Sequence, residues 1–222
     1  MTDATPRPPH RSVYRRWGAR ALFEGVLIVF SISLALAISA WVNDLQTAAR
    51  VREARTYFIE ELQANRAALL EDSIIPHHQR LLDALEDVPM ENPLSQDAAM
   101  PTINTVFRTG VHSAALRDVA WSTFSNTDLL AHMPSEEVFA LNDAYEAQAR
   151  IDQLQEAFYP VLVQIPAQLT TAQDLRGPLI SIRLHLADVV VAEQTAVARY
   201  DAALLALGVA PPAEEPAAAA EQ

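Results

Sequence analysis

From Ala21 to Val42 the chain reads ALFEGVLIVFSISLALAISAWV, twenty-two residues with a single charge, Glu24. At ~1.5 Å per residue such a helix is about 33 Å long, enough for a hydrocarbon core of roughly 30 Å. Trp17 and Trp41 bracket the stretch at the depth where indoles favour the membrane–water boundary. Glu24 lies in the first turn, where it can reach the interface, pair with Arg20 four residues back, or meet a partner helix. Ser31, Ala35 and Ser39 recur every four residues, an interval that lets two membrane helices approach closely but that a span also simply tolerates. Ala35-Leu36-Ala37 has the small-residue pattern of a signal-peptidase site, yet no Gly or Pro interrupts the helical pattern before it. Arg15-Arg16 opens like a twin-arginine signal, and Trp17-Gly18 departs from that continuation. The stretch is therefore expected to be an uncleaved transmembrane helix over residues 21–42.

The flanks set an orientation. Residues 1–20 carry Arg7, Arg11, Arg15, Arg16 and Arg20 against Asp3, whereas Arg50, Arg52 and Arg55 follow the span. The excess of Arg on the N-terminal side predicts a cytoplasmic N-terminus and an extracytoplasmic domain over 43–208. Residues 43–222 hold eleven Arg and twenty-six acids, a balance of −15. A domain of that sign repels phosphate, so nucleic acid is not an expected partner. The chain has no cysteine, which removes disulfides, thiolate catalysis and cysteine-ligated metal.

The rest of the chain is punctuated by proline and otherwise built of good helix formers. No breaker separates Val42 from Asp72, so the span is expected to continue outward as a stalk with Val51, Ala54, Phe58, Leu62 and Leu69 on one stripe. Pro76 marks a break. A helix is expected near Pro76–Glu86, then a loop holding Pro89, Pro93 and Pro101, then short helical pieces near Thr102–Thr109 and Ser113–Ser125. Pro134-Ser135-Glu136-Glu137 reads as a helix start with acids at the positive end of the dipole. The stripe Val138, Leu141, Tyr145, Ile151, Leu154, Phe158 then runs to Pro160, and a segment interrupted by Pro166 reaches the break Gly177-Pro178. The last helix carries Leu179, Ile182, Leu186, Val189, Val197, Tyr200, Leu204 and Leu207, with Gly208 as its C-cap. The Ala/Pro/Glu tail, 209–222, has little to bury and is expected to be disordered. The fold class is all-α: one N-terminal transmembrane helix continuing into an antiparallel helical bundle.

Few groups invite chemistry. His77-His78 is the natural metal candidate, but neighbouring helical positions point about 100° apart, so exposed or capping histidines are expected instead. His112, His132 and His185 show no ligand spacing. Ser113, Ser122 and Ser125 lack a strand–turn–helix elbow, there is no Gly-rich phosphate loop, and the pairs Glu60-Glu61 and Glu136-Glu137 read as solvated helix faces or starts. No catalytic residue, metal or cofactor is expected. Phe107, Trp121 and Phe124 form an aromatic patch that either packs in the core or lines a pocket.

Two blocks carry a resemblance. Phe23-Glu24-Gly25-Val26-Leu27-Ile28-Val29 with Ala35-Leu36-Ala37 and Trp41-Val42-Asn43-Asp44 forms the first. Ala120-Trp121-Ser122-Thr123-Phe124 through Leu129-Leu130, with Leu141 and Tyr145, forms the second. They resemble a family of uncharacterised bacterial single-pass membrane proteins, in which Gly is frequent where this chain has Asn126 or Thr127. The resemblance implies one span followed by an extracytoplasmic helical domain, and implies no reaction. Tether, stalk and span acid together point to a non-enzymatic interaction protein. Its partners are the lipid bilayer and another membrane protein or a second copy of itself, with Glu24, Ser31, Ala35 and Ser39 as intramembrane contacts. The alternative is a periplasmic ligand-sensing bundle that signals through a partner.

Overall fold

A computed structural model describes residues 11–70, 74–88, 94–171 and 174–210. Within them, the side chains of 11–21, of 161–171 and of several α3 positions, Phe107 among them, lie outside the description. Every regular element among the described residues is helical. The helices are α1 (Arg11–Leu70), α2 (Ile74–Glu86), α3 (Gln96–Thr109), α4 (Val119–Phe124), α5 (Ser135–Thr171) and α6 (Arg176–Ala206), with a 3₁₀ turn at Asp128–His132. The chain divides into two compact units, residues 1–50 and 51–222.

The first unit is the early part of α1. One stretch here is long and apolar enough to cross a membrane, with a mean hydropathy of 2.3 over its best window and none of that window buried. The same length and composition serve a single span or a signal sequence. Leu22, Phe23, Ile28, Phe30, Leu36 and Trp41 are all more than half exposed, so this apolar surface has no cover within its own unit. Residues 1–10 and the side chain of Trp17 lie outside the described residues.

The second unit grows around the last turns of α1. Val51, Ala54, Phe58, Leu62 and Leu69 are buried at the three- and four-residue steps that one helical face requires. They pack with Leu141, Ala144, Tyr145 and Ile151 of α5 and with Ala196, Tyr200, Ala203 and Leu204 of α6. A second apolar cluster joins Leu81 and Leu85 of α2 to Phe158 of α5 and to Leu179, Ile182 and Leu186 of α6. Leu94 and Leu175 close it, and their backbones bond directly, Leu175 N–H to the Leu94 carbonyl at 3.2 Å. Asp174 reinforces this junction by accepting from the Leu94 and Arg176 N–H groups, both at 3.0 Å. Those two backbone bonds hold its carboxyl below the usual range.

Proline punctuates less than expected. Pro76 and Pro178 sit inside the first turns of α2 and α6, where a missing N–H leaves no acceptor unpaired. Pro101 lies within α3, and α5 continues through Pro160 and Pro166 to Thr171. A proline removes one helical hydrogen bond, and the long runs on either side outweigh that loss. The break expected at Pro76 is not there, since Pro76 belongs to α2, and the loop prolines Pro89 and Pro93 lie outside the described residues. The C-terminus of α6 follows expectation. Gly208 adopts φ 85, its N–H bonds to the Leu205 carbonyl, and the Val209 N–H reaches back to Leu204 at 2.9 Å. Together these two bonds form a Schellman cap. Residues 211–222 of the tail lie outside the described residues.

The expected helix over Ser113–Ser125 is corrected. Residues 110–118 form no regular element, and α4 begins only at Val119. Gly110, at φ 73, takes a backbone conformation that redirects the chain after α3. The residues that follow bond to side chains of other helices instead of to one another.

Candidate functional site

Segments without regular structure must still satisfy their backbone groups. Here residues 110–120 form a strap, and polar side chains on three helices meet the carbonyls of Gly110, His112 and Arg117 and the N–H groups of Arg117 and Ala120. His77 and His78 of α2 place their Nε2 atoms 2.8 Å from the Gly110 and His112 carbonyls. Asn65 of α1 holds Arg117 at both ends. Its amide donates to the Arg117 carbonyl at 2.7 Å, and its Oδ1 accepts the Arg117 N–H at 2.8 Å. Gln148 of α5 donates to the same carbonyl at 3.1 Å and accepts from Asn65 and from the Tyr200 hydroxyl. Glu61 of α1 accepts the Ala120 N–H at 3.0 Å and the Tyr145 hydroxyl at 2.6 Å.

Burial raises the Tyr145 phenol far above its ordinary range, and its hydrogen bond to Glu61 and that carboxylate's charge add to the effect. Burial raises Tyr200 as well, with Asp152 and Glu61 contributing. Both hydroxyls therefore stay protonated and serve as fixed donors.

These anchors correct half of the reading of Glu60-Glu61 and Glu136-Glu137 as solvated, for Glu60 and Glu136 are exposed and their neighbours are not. Glu61 and Glu137 are buried, and Glu137 accepts from Arg55 at 2.7 Å. The signal was present in the stripes themselves. Glu61 and Asn65 interrupt the buried face of α1 between Phe58 and Leu69. Gln148 interrupts that of α5 between Tyr145 and Ile151, and Glu193 that of α6 between Val189 and Tyr200. A polar residue at a core position is a group that must find a partner.

Where the strap passes into α4, a groove of about 390 Å³ opens along the side of α1. Tyr57, Val119, Ala120 and Phe124 supply apolar walls, while Glu60, Glu61, Arg117 and Thr123 supply polar groups. Val119 is 66% exposed and points its branched side chain at solvent. Phe124 belongs to both groove and core, since its ring stands edge-on to Phe58 at 5.6 Å and stacks with Tyr57 at 6.1 Å. Trp121 lies flat on Tyr145 at 5.0 Å and packs inward. The expected trio is thus divided: Phe124 lines the groove, Trp121 supports it, and the Phe107 side chain is outside the described residues. The Ser122 hydroxyl donates to the Val119 carbonyl of its own helix at 3.2 Å.

The histidines depart from the expectation of exposed or capping side chains. His77 and His78 are both buried. The His77 ring stacks on His112 at 4.3 Å, and His78 places Nδ1 2.9 and 3.0 Å from the two carboxylate oxygens of Glu193. Among the described residues no group of three or more His, Cys, Asp or Glu is placed to hold a metal ion.

A small cavity of about 60 Å³ lies beside this pair, lined by His78, His112, Ser113, Gln155, Phe158 and His185 among others. His185 stacks face to face on Phe158 at 4.1 Å. Burial lowers its proton affinity below the ordinary histidine range, against a smaller opposing pull from Asp188. The sign follows directly: the unfolded chain takes up this proton first, so stability is lost as pH falls through the ordinary range. In a comparison of thermal midpoints at about pH 7.5 and about pH 5.5, His185→Gln should lose less than the wild-type protein. An equal or greater loss in the variant would remove His185 from the acid response.

In the first unit, Glu24, Ser31, Ala35 and Ser39 are all exposed, and the Ser31 hydroxyl donates to the Leu27 carbonyl at 2.8 Å. Comparison with protein-family models, with curated proteins and with solved structures finds no match for this chain.

Proposed function

We propose that the chain is a membrane-anchored, non-enzymatic interaction protein, an accessory subunit or assembly factor of a bacterial envelope complex. In this reading it receives a segment of its partner in the groove between α1 and α4. The observation that carries it is the way the groove is built. One wall is a strap fixed by side chains of three helices, and the surface so held presents Val119, Tyr57 and Phe124 beside opposed charges. A preformed surface of this mixed character loses little entropy on binding. The apolar stretch 21–42 acts as a single span with the N-terminus in the cytoplasm, and Glu24 with Ser31, Ala35 and Ser39 offers a second contact within the bilayer. The resemblance to single-pass bacterial membrane proteins belongs to the same reading. So does an antiparallel bundle, since few residues connect α5 to α6.

The test is extraction of the tagged protein from native membranes in mild detergent, with mass spectrometry of what remains bound. One partner at near-equal amount is expected. Val119→Arg, which fills the groove from an exposed position, should abolish its capture while leaving stability within about 0.5 kcal/mol. Recovery of the chain alone, or undiminished capture by the variant, would sink the proposal.

Ligand sensing is the second reading, favoured by the groove volume of about 390 Å³, which falls in the range of small-molecule sites. A thermal shift of the wild-type protein with one small-molecule class, absent in Val119→Arg, would favour it.

A further inference from the structure

The last helix, α6, has two patterned faces. The buried one runs through Leu186, Val189, Ala196 and Tyr200. The opposite face keeps the same rhythm. From Ser181, alternating steps of three and four residues lead to Leu205, and all eight positions so reached are exposed. Asp188 is the single charged residue among them. Leu184, Val191 and Leu205 are 59%, 62% and 65% exposed. A solvated face carries charge at such positions, whereas a heptad seam sustained over three repeats belongs to a helix that packs against another. Thr195 suits such a seam, because its hydroxyl already donates to the Val191 carbonyl at 2.7 Å and would not be stranded by burial.

We infer that this seam is a self-association surface, on which the α6 of a second copy packs antiparallel. The order of the side chains selects that occupant. The eight positions are symmetric about residue 193. An antiparallel copy therefore sets Ser181 on Leu205 and Leu184 on Ala202, then Asp188 on Ala198 and Val191 on Thr195, each layer occurring twice. No layer sets Leu on Leu or Ala on Ala, so knobs of one copy meet gaps of the other.

Charge points the same way. Asp188 makes no ion pair among the described residues, and the antiparallel register brings it beside the Arg199 of the second copy. Arg199 holds only Asp143 in its own chain, at 3.4 Å with both side chains about half exposed, a contact that is readily exchanged. A parallel copy would face Asp188 with Asp188 and Ala198 with Ala198, opposing like charges and leaving gaps between the larger layers. The seam also borders a groove of about 280 Å³ between α5 and α6, walled by Ala147, Leu154 and Val191 among others, which gives the second helix a recess. This surface is separate from the groove between α1 and α4 and does not depend on what occupies it.

Cross-linking on the full chain in native membranes tests the seam. The chain has no cysteine, so introduced pairs are unique. Leu184→Cys and Ala202→Cys on one chain stand about 27 Å apart along α6 at ~1.5 Å per residue, too far for a bond within the chain. Across the antiparallel seam each meets the other. On mild oxidation with a copper catalyst the double variant should form a disulfide-linked dimer, several-fold more of it than either single variant. Asp188→Arg in this background should lower the linked fraction by setting two cations together, and adding Arg199→Asp should restore it. All four positions are exposed, so none of these changes removes a core contact.

A double variant that stays unlinked would overturn the proposal. Linking of the Leu184→Cys single variant to the same extent would overturn it too, since that contact is parallel or unspecific. So would a linked fraction that the exchange of charges leaves unmoved.

Discussion

Replacing Phe58 by alanine should destabilise the second unit by about 3–5 kcal/mol, the range for deleting a large aromatic side chain from a core that cannot collapse. Phe58 is fully buried on α1, and its ring meets Trp121 and Phe124 of α4 and Tyr145 of α5 at centroid distances of 6.4, 5.6 and 6.3 Å. Removing it withdraws the surface on which α4 is seated. Equilibrium urea denaturation of the full chain in detergent reads the loss, and Phe58→Leu should recover roughly half of it by refilling part of the volume. A loss below about 1 kcal/mol for Phe58→Ala would mean that the aromatic cluster does not hold α4 in place.

Glu61→Ala is expected to lose about 2–4 kcal/mol. The carboxylate accepts from two groups with no other acceptor described, the Ala120 N–H and the Tyr145 hydroxyl, and an unpaired buried donor costs about 1–3 kcal/mol. Removing a buried charge offsets part of that sum. Glu61→Gln keeps one acceptor oxygen at the same reach and should lie between the wild-type and alanine proteins in the same denaturation experiment. If Glu61→Ala were as stable as wild type, the first turn of α4 would have to find another anchor. Nothing in the arrangement of Tyr145, Asn65 and Gln148 supplies one, because the bonds of those side chains run to each other, to Arg117, to Tyr200 and to Glu61.

Helices were legible where apolar spacing and capping chemistry agreed. The buried face of α1 from Val51 to Leu69, the start of α5 at Ser135 and the glycine cap of α6 at Gly208 all rest on local rules. The long reach of α5 through Pro160 and Pro166 was not legible, because a proline's local penalty says nothing of the packing that opposes it. The strap was hidden for a related reason. Ser113–Ser125 contains good helix formers, yet its backbone at Arg117 and Ala120 is met by Asn65, Gln148 and Glu61, and the residues just before it by His77 and His78, all distant in sequence. The His78–Glu193 pair spans 115 positions and shows in the sequence only as a charged residue on an apolar face. Of the aromatic trio, Phe124 and Trp121 come together over Phe58 because α4 places them three residues apart, which helical spacing alone anticipates.

Five side chains on three helices hold a segment that makes little structure of its own, and this sets an order of events during biosynthesis. The contacts that fix the strap close loops of 31 to 59 residues. The bond from Gln148 waits for α5, those from α1 and α2 join their own helices to the strap, and in each case loop closure must precede the contact that rewards it. Residues 110–118 therefore stay open to a protease until these loops have closed. A chain whose helices have not packed displays this stretch as an extended, cleavable peptide, and a chain whose helices have packed ties it down.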